Sequence, residues 1–162
     1  MRAAERILRV LNLIEGVAAA LAYAIVAGLL IADVVGRELF GHGVFGAQKM
    51  AVYAAVVAGF LGLCLATAAN AQLRPSFLDH VLTGPHVERV GDAFASAFYG
   101  AMAVIALMFI QQSMAFQDRA AVLYWLLWPI QIVIPYAFVS TGLRHGIFAV
   151  WPDLKPEERA AA

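Results

Sequence analysis

Four apolar runs, 13–32, 50–71, 93–110 and 122–143, divide the chain. Each is close to the roughly 20 residues that an α-helix needs to cross the hydrocarbon core of a bilayer. In lipid a backbone must satisfy its own hydrogen bonds, so only helices and closed barrels span it. None of the runs alternates with a period of two, which argues against a barrel. The predicted fold is an all-α integral membrane protein, a single membrane domain over 1–162 with four transmembrane helices. The first run follows a basic start, as a signal peptide would, but it continues to Ala32, which suits an uncleaved anchor better.

Composition agrees and excludes other classes. Apolar residues make up 63% of the chain and charged residues 14%, far from the balance of a soluble domain. Eleven basic residues offset eleven acidic ones, which argues against nucleic acid as a partner. Cys64 is the one cysteine, so there is no internal disulfide and no thiolate zinc site.

Basic residues set the expected orientation. Arg2, Arg6, Arg9, Arg74, Arg89, Arg144, Lys155 and Arg159 fall on one side of the four spans, and Arg37, Lys49 and Arg119 on the other. The richer side is expected to be cytoplasmic, which puts both termini there. Tyr124, Trp125 and Trp128 then mark the outer interface and Trp151 the inner one.

Small residues recur along the spans. Gly16, Ala20, Ala24, Gly28, Ala32 and Gly36 follow one another at every fourth position of the first. Ala51, Ala55 and Gly59, and Ala54, Ala58, Gly62 and Ala66, do so in the second, and Ala93, Ala97 and Ala101 in the third. Such rows let helix backbones approach closely in lipid and are read as packing seams. Pro129 and Pro135 are expected to bend the fourth span without moving.

Two amphipathic stretches read as short interfacial helices. In the 72–92 connection Pro75 suits a helix start and Gly84-Pro85 a stop. Between them Phe77, Leu78, Val81 and Leu82 share a face opposite Asp79 and His80. Near the N-terminus Ile7, Val10, Leu11 and Ile14 oppose Arg2, Glu5, Arg6 and Arg9. Arg74, Phe77 and Arg144 are assigned to the inner interface.

Charges near the spans are few. Asp33 and Arg37 have the i,i+4 order of a helical ion pair at the outer end of the first span. An intramembrane acid can also mark an ion pathway, but Asp33 sits near the interface with a counter-ion at hand. Glu15, near the inner edge, is expected to snorkel or to pair with a nearby arginine. No polar cluster able to bind a substrate is read within the spans.

Chemistry is excluded more firmly than it is assigned. His42, His80 and His86 fall in loops and His145 at a helix end, so no pair of axial haem ligands can be drawn inside the bilayer. There is no paired thiol, phosphate loop, metalloprotease motif or nucleophile elbow. No catalytic residue and no metal ligand is proposed from the sequence.

The order of these features resembles the small membrane subunit of TRAP transporters, the DctQ family. The resemblance covers nearly the whole chain. It rests on Val35-Gly36-Arg37-Glu38-Leu39-Phe40 with the 41–46 loop and Gln48-Lys49, and on Gly59-Phe60-Leu61-Gly62. It rests also on Ala71-Gln72-Leu73-Arg74-Pro75 and on Pro129, Pro135 and Arg144. Gln48, Gln72 and Ser76 depart from the glutamate, histidine and aspartate frequent in relatives. The resemblance implies a scaffold in a bacterial inner membrane. It binds a large membrane subunit that holds the substrate and sodium sites, and a periplasmic binding protein delivers an organic acid. Arg37, Gln48 and Lys49 then belong to an outer docking surface, and the chain itself carries no cofactor. The rival readings are a small proton-coupled exporter, which wants a mid-span carboxylate, and the membrane anchor of a redox enzyme.

Overall fold

The computed structural model describes residues 2–71 and 85–156, with the side chains of Pro85 and His86 left aside. Arg74 and Phe77, and the interfacial helix expected around them, lie outside the described residues. The helices are α1 (Arg2–Phe40), α2 (Ala47–Ala68), α3 (Pro85–Phe116), α4 (Trp128–Gln131) and α5 (Val133–Val150), followed by a 3₁₀ turn, Pro152–Leu154. Four segments are long and apolar enough to cross a membrane: Arg2–Phe40, Ala47–Ala68, Val87–Phe116 and Trp128–Val150. The chain is an all-α integral membrane protein.

α1 is one uninterrupted helix of 39 residues. At 1.5 Å per residue it is about 58 Å long, nearly twice the hydrocarbon thickness. The amphipathic start expected as a separate interfacial helix is therefore the first turns of α1. No proline interrupts it.

Three seams with a spacing of alternately three and four residues hold the bundle together. On α1 the inward positions that follow this spacing are Glu15, Ala19, Ala22, Val26, Leu29, Asp33 and Gly36. On α2 they are Ala47, Ala51, Ala54, Ala58 and Leu61. On α3 they are Asp92, Ser96, Tyr99, Ala103, Ala106, Ile110 and Ser113. A mean step of 3.5 residues keeps one face of a helix turned to its neighbour. α1 packs on α2 and α3 on α5, while α5 also contacts α2 and so joins the two hairpins. α5 is accordingly the most enclosed span.

Within the chain these seams follow the expected packing rows only in part: Ala54, Ala58, Gly62 and Ala66 are all buried or half-buried, whereas most of the first row is not. Four residues advance a helix by about 400°, so a strict every-fourth row drifts about 40° per step and about 200° over five steps. It cannot stay on one face. Ala20, Ala24, Gly28, Ala32 and Ala55 are exposed. A methyl group added at Gly16, Gly28, Gly59 or Gly62 would meet nothing within 4 Å. Gly36 does pack, under the His42 carbonyl, and between helices so do Gly142 and Gly146. A Cβ at Gly142 would come within 3.3 Å of the Tyr99 Cβ, and one at Gly146 within 3.1 Å of the Ser96 Oγ. The Ser96 hydroxyl donates to the Gly142 carbonyl at 2.9 Å. α3 and α5 meet there almost backbone to backbone, as a small-x₃-small pair allows.

Two boundaries also shift. Pro85 opens α3 instead of ending an interfacial helix, the first-turn position to which a missing N–H is suited. The fourth span begins at Trp128, not at 122. Before it, Val122 and Tyr124 take left-handed backbone angles (φ 76 and 57°), and Arg119 bridges to Leu126. Pro129 lies in the first turn of α4 and starts a helix without bending one. Pro135 does interrupt: with no N–H it leaves the Gln131 carbonyl without its i+4 donor, and the helix breaks at Ile132.

Candidate functional site

The end of the bundle where α1 starts and α5 finishes holds a closed polar network. Glu15 lies on the α1 seam and therefore points into the protein, where it cannot snorkel. Opposite it, Tyr136, Ser140 and Arg144 follow one another at every fourth position of α5. The Arg144 Nη2 donates to the Glu15 Oε2 at 2.6 Å and its Nη1 to the Oε1 at 3.3 Å. Ser140 donates to the same Oε1 at 2.5 Å and accepts from the Arg144 Nη1, while the Tyr136 hydroxyl donates to Oε1 at 3.1 Å. Both charged side chains are 0% exposed.

Of the two expectations for Glu15, pairing with an arginine agrees with the structure and snorkelling does not. The correction concerns Arg144, which is buried in this cluster and not set at the inner interface. The network is buried and joins the first hairpin to the second. Its signal was present in the row of polar groups at 136, 140 and 144, at every fourth position of α5.

A second network lies one residue further along α5. The His145 Nδ1 is 2.9 Å from the Asp92 Oδ1, and the Lys155 Nζ donates to the Asp92 Oδ2 at 2.8 Å. The His145 ring stacks on Tyr99, 5.8 Å away and 7° from parallel. This set ties the chain beyond α5 back to the start of α3, and sequence reasoning missed it because Asp92 and Lys155 are 63 positions apart.

The opposite end of α1 carries the third network. Arg37 pairs with Asp33 at 2.5 Å, and the Gln48 Nε2 donates to the same carboxylate oxygen at 3.2 Å. Asp33 is buried, while the Arg37 side chain remains 53% exposed. The 41–46 loop folds over this pair. A Cβ at Gly43 would collide with the Asp33 carboxylate, and Gly46 takes a left-handed φ of 74° beneath Leu123. Only glycine is at ease in that conformation under a neighbouring side chain. Asp33, Arg37, Gln48 and Lys49 line one open recess of about 320 Å³ together with Val122.

Positions 15 and 33 on α1 are about 27 Å apart along the helix. That matches the roughly 30 Å hydrocarbon thickness, so the two carboxylate–arginine sets lie about one bilayer core apart. Between them Cys64 is buried, with its thiol 3.5 Å from the Phe60 carbonyl and 3.7 Å from that of Ala137. Among the described residues no three of His, Cys, Asp and Glu gather as a metal site.

The family model described as "Tripartite ATP-independent periplasmic transporters, DctQ component" matches residues 26–150. The match takes in the outer recess and Arg144 and stops short of Glu15. No curated protein and no solved structure gives a match.

Proposed function

The chain belongs to the DctQ family of tripartite ATP-independent periplasmic transporter components, and from that premise we propose that it is the static small subunit of such a transporter. In this reading it scaffolds a large membrane subunit that performs sodium-coupled uptake of an organic acid. A periplasmic binding protein docks at the outer recess through Arg37, Gln48 and Lys49. The chain lies in the bacterial inner membrane with both termini in the cytoplasm.

One observation carries the scaffold reading. The carboxylates of the first span are engaged with side chains of this chain. Glu15 is held by three α5 side chains, and Asp33 by Arg37 and Gln48. A carboxylate substrate needs donors or cations near the midplane, often at broken helices. The surfaces that remain are apolar: Val17, Leu21 and Ile31 on α1, and Phe98, Ile105 and Met108 on α3, are exposed. Such surfaces suit lipid and partner helices. The buried Glu15 is the carboxylate that a proton-coupled exporter would want, but both of its oxygens are taken up by Arg144, Ser140 and Tyr136.

The test is reconstitution in liposomes with a sodium gradient. All subunits together should accumulate substrate when binding protein is present. This chain alone, or the set without it, should not. Uptake by this chain alone would overturn the reading.

A further inference from the structure

The turn after α5 is held down by charge. Asp92, near the start of α3, is shared by His145 of α5 and by Lys155 beyond it, at 2.9 and 2.8 Å. Each of the three side chains is no more than 9% exposed. Two backbone bonds complete the turn. The Leu154 N–H donates to the Trp151 carbonyl at 3.1 Å, and the Lys155 N–H to the Pro152 carbonyl at 2.9 Å. Leu154 packs on the cluster of Ala4, Ile147 and Phe148.

The charges of this set balance only while His145 is neutral. Its Nδ1–H then donates to Asp92, and Lys155 and Asp92 cancel. The Nε2 atom is buried and has no partner among the described residues. A second proton would go there. It would create a buried donor without an acceptor, and a second cation against one carboxylate. Glu88 and Arg89, one turn earlier on α3, and Asp153 in the turn are exposed, while Glu15 and Arg144 hold each other. One of the two cations must therefore leave. His145 is the fixed one: it stands on α5, stacked on Tyr99 and edge-on to Phe148. Lys155 lies past the end of α5, on a flexible stem whose ammonium water solvates strongly.

We propose that Asp92, His145 and Lys155 form an acid-released clasp, in which proton uptake by His145 frees Lys155 and loosens the turn from the bundle. Histidine is the side chain that changes charge between about pH 5 and 8. The closed clasp holds one proton fewer than the open one, so the closed form loses stability as the pH falls through that range. The coupling is reciprocal: Lys155 in place resists the proton, and the proton resists Lys155. The clasp rests on the fold alone and is independent of the transport role.

The test titrates the full chain in detergent from about pH 8 to about pH 5, the range in which histidine charges. The side-chain nitrogen-15 signals of His145 read its charge without a mutation. Hydrogen exchange at the Leu154 and Lys155 amides, corrected for the intrinsic effect of pH, reads the turn. A neutral ring with protected amides is expected at the alkaline end. A charged ring is expected at the acid end, with protection lower by about tenfold, the weight of one like-charge contact near a protein surface. Lys155→Met should lower the protection at the alkaline end and let His145 take its proton at a higher pH. His145→Gln should make the protection independent of pH. A ring that stays neutral throughout would overturn the clasp, and so would a ring that charges while the amides stay protected. A His145 titration unchanged in Lys155→Met, or a fall in protection that persists in His145→Gln, would overturn it as well.

Discussion

Arg144 holds Glu15 through both terminal guanidinium nitrogens, at 2.6 and 3.3 Å, with neither side chain exposed. The pair connects α1 to α5, two helices that otherwise share little surface. It therefore ties the outer element of one hairpin to the central span of the other.

Removing either partner should damage the fold severely. Glu15→Gln or Arg144→Met leaves a buried charge without its partner, which costs about 3–5 kcal/mol. Changing both, as E15L/R144M, removes the charges and should recover most of the loss, since apolar replacement of a buried pair is often neutral. Thermal unfolding of the purified chain in detergent measures this. A double variant as unstable as the singles would mean that the network does more than satisfy itself.

The glycines separate internal packing from external packing. Gly142→Leu should unfold the α3–α5 contact, because Tyr99 and the Ser96 backbone already stand within 3.4 Å of the position of a Cβ. Gly28→Leu and Gly59→Leu should leave the isolated chain as stable as before, because both positions are open. If those faces meet the large subunit, the same two variants should lower its recovery in co-purification. A drop in the melting temperature of the isolated Gly28→Leu chain would show that α1 packs on something within the chain that this arrangement lacks.

The four apolar spans and the Asp33–Arg37 pair were legible in the sequence because each depends on local pattern, although the first and third helices run well beyond their apolar stretches. The seams were not. Alanine and glycine occupy both the buried and the exposed faces of α1 and α2, so apolarity alone does not distinguish a seam at 3.5 spacing from a row at every fourth position. Ala19 is buried and Ala20 exposed, and nothing in the residue type separates them. The polar networks at 15/144 and 92/145/155 join residues far apart in sequence, and their partners are set by which helices become neighbours. The 142/146 glycine pair could have been read, since it has the spacing that lets membrane helices touch.

The outer recess gives a prediction about transport. Lys49 is exposed beside Arg37, and Gln48 is engaged with Asp33. Lys49→Glu should therefore weaken uptake at limiting binding protein and have little effect at saturating binding protein. Gly43→Ala should act differently, because it forces the loop off the Asp33 carboxylate and lowers the maximal rate or the amount of assembled complex. Rates measured over a range of binding-protein concentrations distinguish the two. A Lys49→Glu variant with unchanged concentration dependence would place docking elsewhere.

The last prediction concerns sidedness. Ala4 in the first turns of α1 packs with Ile147 and Phe148 at the end of α5, and Leu8 and Leu154 pack against them. The start of α1 and the end of α5 are therefore at one end of the bundle, whichever way it faces. What remains is the sign of the charge asymmetry. Eight basic residues fall at that end and three at the other. A basic loop resists translocation, so the end with both termini should be cytoplasmic. The structure sharpens the count, because Arg144 and Lys155 are held in internal networks with Glu15 and Asp92. Setting both aside still leaves Arg2, Arg6, Arg9, Arg74, Arg89 and Arg159 against Arg37, Lys49 and Arg119. Fusions to a fluorescent protein and to a phosphatase that is active only outside the cytoplasm read this directly. A fusion after Ala162 should fluoresce and lack phosphatase activity, and an insertion in the 41–46 loop should do the reverse. Phosphatase activity at the C-terminus would invert the topology and move the Asp33 recess to the cytoplasmic side, where no periplasmic protein could reach it.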